Sequence, residues 1–200
     1  MDKKILDEVY RYWFGALAGP DDFPEEKAAI WFKKSDETDR TICDNFGAAI
    51  SEASKIEWNL DELSRQQQVA LVVLLDQFPR NIFRTSGESF AYDTKARKIA
   101  GSLIDSGWRR FHYCEQCFVF LPLEHSEDIA DQDLCVQLFA ERVIAAPEEL
   151  KDKARGQLDF ATRHRDLIRK FGRFPHRNAL LGRQSTPEEE VFFEENGRGF

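Results

Sequence analysis

Between Phe118 and Asp133 (FVFLPLEHSEDIADQD) an apolar run gives way after Pro122 to five carboxylates and one histidine: Glu124, His125, Glu127, Asp128, Asp131 and Asp133. Read as one helix, Glu124, Asp128 and Asp131 stand at i, i+4 and i+7 and share a face. Like charges so placed repel by about 0.2–0.5 kcal/mol per pair on an exposed helix. Out of water they repel far more, so the face demands solvent, cations or protonation. Cations are concentrated in two other stretches, QFPRNIFR (Gln77 to Arg84) and RHRDLIRKFGRFPHRN (Arg163 to Asn178). Our reading is that these three stretches converge.

The residue types suggest a division of labour. Arg80, Arg84, Arg165, Arg173 and Arg177, helped by Asn81, His176 and Asn178, offer planar forks and amides suited to a carboxylate or phosphate. Glu124, His125, Asp128 and His164 form the candidate catalytic set, because an imidazole oriented by a carboxylate can move a proton. His125 with Asp128 at i+3, or His164 with Asp166, would supply such a pair. Surrounding arginines push an imidazole towards its neutral form, whereas Glu124 or Asp128 would push it towards imidazolium. Ser126 lacks the GxSxG elbow of a nucleophile. Neither HExxH nor a repeated ExxH is present, and the arginines are nearer partners for the acids, so no metal ligand and no cofactor is assigned.

Positioning these groups requires a scaffold, and the apolar periodicity supplies helices. Ile5, Leu6, Val9, Tyr10, Trp13 and Phe14 recur at three and four residues, ended by Gly15. Pro24-Glu25-Glu26 and Ser35-Asp36-Glu37 start the next two, the second extending to Ser54. Arg65 to Phe78 has almost no polar side and belongs at the centre, with Pro79 expected to stop it. Helices are expected over Phe90 to Ser106, Trp108 to Leu121, Ile129 to Ala145 and Pro147 to Phe171. Pro122 either kinks its helix or opens the next, in which case Glu124 falls in a first turn. A short turn at Asn178 to Leu181 precedes a last helix announced by Thr186-Pro187-Glu188-Glu189. About nine helices, no strand pattern and short loops describe an all-α protein of antiparallel helix pairs in one domain, residues 1–200.

With 200 residues and 42% apolar content the chain can bury one sizeable core. Its net charge of -8 argues against nucleic-acid binding. The longest apolar run, Val69 to Leu75, is far short of the roughly 20 residues of a membrane span. The start, MDKKILDEVYRYWFG, has acids and aromatics where a secretory leader would be basic and then apolar, so a cytoplasmic location is expected. Cys114 and Cys117 have CxxC spacing without a second pair, and are read as buried thiols on one helix face.

WFG at Trp13, IWFKKSD from Ile30, LLDQFPRNIFR from Leu74, FAYD from Phe90, FLPLEHSED from Phe120 and RHRDLIRKFGRFPHRNALLGRQSTPEE from Arg163 resemble the bacterial family filed as domain of unknown function 924. The resemblance implies a tetratricopeptide-like helical superfamily member, with antiparallel helix pairs in a right-handed array. No 34-residue period with the signature positions of such repeats is readable in the chain, so a peptide-binding repeat groove does not follow.

Two functional readings result. In the first, the Arg/His/carboxylate residues wall a pocket in which an enzyme or small-ligand protein acts on a small anionic metabolite. In the second, the charged residues are interhelical glue and the protein is a helical interaction module with a protein partner.

Overall fold

The computed structural model describes residues 1–197, and among them every regular element is helical. The α-helices are α1 (Lys4–Phe14), α2 (Glu25–Trp31), α3 (Asp36–Lys55), α4 (Arg65–Ile82), α5 (Asp93–Asp105), α6 (Tyr113–Glu124), α7 (Ile129–Ala145), α8 (Lys151–Phe171) and α9 (Pro187–Asn196), joined by loops and 3-10 turns. None is long and apolar enough to cross a membrane. The chain divides into two compact units, one made of Met1–Arg84 with Glu88–Pro122, the other of Thr85–Gly87 with the chain from Leu123 onward.

The first unit is built round α4. Residues 69 to 75 have no exposed surface, because the run is apolar on all sides and can be satisfied only by neighbours all round. A capping box between Ser64 and Gln67 sets its start. Asp7 of α1 meets Gln67 at one end of α4, and Tyr12 and Trp13 meet Phe78 near the other, so α1 and α4 run parallel. Asp39, in the first turn of α3, meets Asn81 and Arg84 in and just after the last turn of α4, so those two helices are antiparallel. Trp13, Phe14, Trp31 and Phe118 stack edge to face in the core between them. Cys114 and Cys117 are free thiols, both buried on α6.

Pro79 does not stop α4, which continues to Ile82. A proline removes one backbone donor and crowds the preceding turn. Here Arg80 folds back and its Nη1 donates to the Asp76 carbonyl at 2.7 Å, while Phe83 N–H donates to the Pro79 carbonyl at 2.8 Å. With these bonds made, the buried run outweighs the local cost.

In the second unit α7 and α8 pack antiparallel, with Arg142 bonded to Gln157 towards one end and Asp133 to Arg169 towards the other. Gly172, at φ 69°, closes α8 in the left-handed conformation that favours glycine. Beyond it Phe174 is fully buried with Leu167 and Ile168, and α9 starts with a capping box of Thr186 and Glu189.

Two sequence-level expectations are corrected around the acidic stretch. Residues 108 to 121 do not form one helix: a 3-10 turn at Trp108–Arg110 precedes α6, and Pro122 lies inside α6. Glu124 is the last residue of α6 rather than part of a following first turn, and Asp128 is the N-cap of α7. Glu124, Asp128 and Asp131 therefore do not share a helical face.

Candidate functional site

The end of α6 is fixed by a side chain whose importance the patterning does not reveal. Gln132 is fully buried on α7, and its Nε2 donates to the carbonyls of Glu124 at 2.6 Å, Ser126 at 2.7 Å and Leu123 at 3.3 Å. One amide thus occupies carbonyls that a helix C-terminus leaves without partners. Ser126 Oγ accepts from Asp128 N–H at 3.1 Å and donates to Asp131 Oδ2 at 2.6 Å, which shapes the loop. Asp128 in turn accepts from Ala130 N–H at 2.9 Å.

The acidic run is thereby dispersed into separate tasks. Asp128 is an exposed cap, Asp131 holds a serine, and Asp133 accepts from Arg169 at 2.6 Å, with Arg165 3.9 Å away. Glu127 accepts both Arg183 Nη atoms, at 2.8 and 3.0 Å, and the Phe174 N–H at 2.8 Å. Burial would raise the Glu127 carboxyl, but Arg183 and the Phe174 amide outweigh it and hold it below the ordinary range. Glu124 alone turns inward, 2% exposed.

What Glu124 meets is an imidazole cluster. His164 on α8 places Nδ1 3.7 Å from Glu124 Oε1 and 3.0 Å from the Phe160 carbonyl oxygen. Only the second is a hydrogen-bonding distance. A carbonyl can only accept, so Nδ1 carries the proton and Nε2 carries the lone pair. Burial, and after it the nearby His125, His176 and Arg177, lower the His164 pKa to about 3 against the Phe160 bond, which favours charge. His176 is lowered to about 4 by burial first and then by Arg177, with Arg183 and His125 adding and Glu127 opposing. Phe174 is the hub: the rings of His164 and His176 lie 5.5 and 5.4 Å from its centroid, and the Arg177 guanidinium carbon 4.5 Å. Arg177 is itself 7% exposed. Neutral imidazoles beside a buried cation make a place that favours an anion and can accept its proton.

The remaining expected ligand residues of this unit do other work. Arg173 grips Glu189 through Nε and Nη2 at 2.7 and 2.8 Å and donates to the Gln184 carbonyl at 2.9 Å. Asn178 donates to Glu189 at 3.1 Å and to Ser185 Oγ at 3.3 Å, and accepts from Arg183 Nε at 3.0 Å. Glu189, lowered to about 2 chiefly by Arg173, ties α9 to this loop. Its signal in the sequence was the third position after Thr186, where a capping box places a carboxylate. Arg165 pairs with Asp166 at 3.1 Å on the outside of α8.

Arg80, Asn81 and Arg84 belong to the first unit and are partnered there by acids outside the acidic stretch. Arg80 makes two parallel 2.8 Å bonds to Asp93, and its Nη1 lies 3.5 Å from Asp76 Oδ1, a fully buried carboxylate. Burial alone would lower this guanidinium, but Asp76 and Asp93 overcome it and raise its pKa. Asn81 and Arg84 both hold Asp39, at 2.9 Å for Asn81 and 2.7 Å for Arg84 Nη2. Burial opposes the Asp39 charge, yet Arg84 and Asn81 bring its pKa below the ordinary carboxylate range. Asp39 and Asp93 lie in the first turns of α3 and α5, where helix dipoles welcome acids. Also beyond the reach of patterning is buried Glu115, which accepts from the Tyr10 hydroxyl at 2.5 Å, the His112 N–H at 2.7 Å and Arg65. Among the described residues no group of three or more His, Cys, Asp or Glu is placed to hold a metal ion.

The family model described as "Bacterial protein of unknown function (DUF924)" matches residues 9–197. A solved structure titled "Structure of Protein of Unknown Function ATU0120 from Agrobacterium tumefaciens" is similar at 31% identity and a TM-score of 0.80, over 96% of this chain and 98% of that one. No curated protein matches the chain.

Proposed function

The chain belongs to the DUF924 family of bacterial proteins of unknown function, and from this premise we propose that His125, His164, His176, Glu124 and Arg177 form a site for a small anionic metabolite, at which an imidazole exchanges a proton with the bound molecule. The observation that carries the reading is one buried and one half-buried imidazole, His164 and His176, held neutral beside Arg177. A structural ion network pairs each cation with an acid, as Arg173 does with Glu189 and Arg183 with Glu127. The His164 and His176 rings and the Arg177 guanidinium instead pack together on Phe174, an arrangement of two neutral imidazoles and a cation that suits an anionic ligand.

In this reading the Arg177 fork takes a carboxylate or phosphate. His176, the less buried of the two shifted rings, is the base, and its neutral form at pH 7 is the form a base requires. His164 is held by the Phe160 carbonyl and presents Nε2, while Glu124 supports the imidazolium that forms once a proton arrives. A bound anion favours charged imidazole, so binding takes up protons and strengthens as pH falls.

Isothermal titration with inorganic phosphate and with succinate, at pH 5.5 and 7.5 in buffers of different ionisation enthalpy, tests this. We expect saturable binding at least about tenfold tighter at pH 5.5, corresponding to one proton taken up over most of a pH unit or more, and its loss in Arg177→Gln. Binding that is absent at both pH values, or indifferent to Arg177, overturns the proposal. The rival view of the charged set as interhelical glue accounts for Arg80, Arg84, Arg173 and Arg183, each held by an acid.

A further inference from the structure

A surface cleft of about 510 Å³ lies in the first unit, between the end of α3 with the segment that follows it and one face of α5. That volume falls within the range of small-molecule sites. Its aromatic walls are Trp58 and Tyr92, and its cations are Lys95 and Lys98, three residues apart on α5 and therefore on one face. The Trp58 indole N–H is bonded to the Ala53 carbonyl at 3.0 Å, which anchors the ring at the end of α3.

Both lysines turn to a single exposed acid. Lys95 Nζ lies 3.4 Å from Glu57 Oε1 and also donates to the Ile56 carbonyl, and Lys98 Nζ lies 3.7 Å from Glu57 Oε2. The Glu57 side chain is 85% exposed and that of Lys98 78%. A carboxylate as open to water as that of Glu57 gains little from its pairs, so a ligand carboxylate shielded by Trp58 and Tyr92 can replace it without a large loss. Among the described residues nothing is hydrogen-bonded to the hydroxyls of Tyr92 and Thr94, which also line the cleft. An anchored indole with a second aromatic ring, two ammonium groups sharing one replaceable carboxylate and open hydroxyls together describe a receptor in which Glu57 stands in for the ligand's acid group.

We infer that this cleft binds a small aromatic carboxylate, its ring against Trp58 and Tyr92 and its carboxylate between Lys95 and Lys98 in place of Glu57. The inference is independent of the histidine cluster. The cleft's apolar walls and its single carboxylate-sized station favour a monoanion with a planar ring over a polyanion such as phosphate.

Calorimetric titration of the full chain with 2-naphthoate, 2-naphthamide and inorganic phosphate at pH 7.5 decides it. One saturable 2-naphthoate site is expected, with 2-naphthamide at least about tenfold weaker, since a charged hydrogen bond is lost. Phosphate should not compete with it. Lys98→Gln, at an exposed position that leaves the fold alone, should weaken 2-naphthoate about three- to tenfold, and Trp58→Ala at least as much. Glu57→Gln should tighten it, because the competing carboxylate is gone, and Arg177→Gln should leave it unchanged. The inference is overturned by the absence of saturable binding, by equal binding of the amide, by phosphate competition, or by Glu57→Gln weakening the complex.

Discussion

His164, buried, and His176, half-buried, each feel the Arg177 guanidinium, and each has its pKa lowered, to about 3 and about 4. In the unfolded chain both return to near 6.5. Between those limits the unfolded state binds more protons than the folded one, so stability rises with pH across this window and is lost progressively as pH falls below about 6.5 towards 4. Each group adds up to about 1.4 kcal/mol per pH unit within its window. Urea melts at pH 4.5, 5.5 and 7 should show this slope, and His176→Gln should flatten it by about one group's share. Arg80 sits at the opposite extreme, a cation fully engaged by its acids. Arg80→Ala strands buried Asp76 and should cost about 3–5 kcal/mol in urea melts at pH 7, whereas Arg173 and Arg183, closer to solvent, should matter less.

At the scale of elements, caps were legible and pairings were not. Ser35 and Thr186 announced the starts of α3 and α9, and each accepts the backbone N–H expected of it. The helical face proposed for Glu124, Asp128 and Asp131 failed because Gln132, eight residues beyond Glu124, ends α6 by taking its carbonyls. No local pattern marks a glutamine for that task. Gln132→Ala leaves buried carbonyls without donors and should cost about 1–3 kcal/mol, with faster hydrogen exchange at residues 123 to 128 read by mass spectrometry. Glu189→Ala releases Arg173, Asn178 and the cap of α9 together. Amides of α9 should then exchange at least about tenfold faster, while those of α4 should not change.

For the whole molecule, the all-α class was readable because apolar spacing at three and four residues is set by each helix's own burial. The candidate site was half readable. The two cation-rich stretches were visible in the sequence, but not that Arg80 and Arg84 would be held by Asp93 and Asp39, the latter 45 residues from Arg84. Such partners are selected by helix packing, which periodicity does not encode. His164 and His176 could be suspected for their basic company and His125 for its place in the acidic run, and burial supplied what composition cannot, the force that keeps the first two neutral. The net charge of -8 adds a further reason why an anion must find a local cationic site such as Arg177. The chain has only four histidines, so long-range proton–nitrogen correlation spectra can resolve every ring. Recorded from pH 7 to pH 5 with and without inorganic phosphate, they should show His164 neutral with its proton on Nδ1, His176 neutral, and both moving towards imidazolium when phosphate is added. If both rings titrate near 6.5 and phosphate leaves them unmoved, the anion site does not exist.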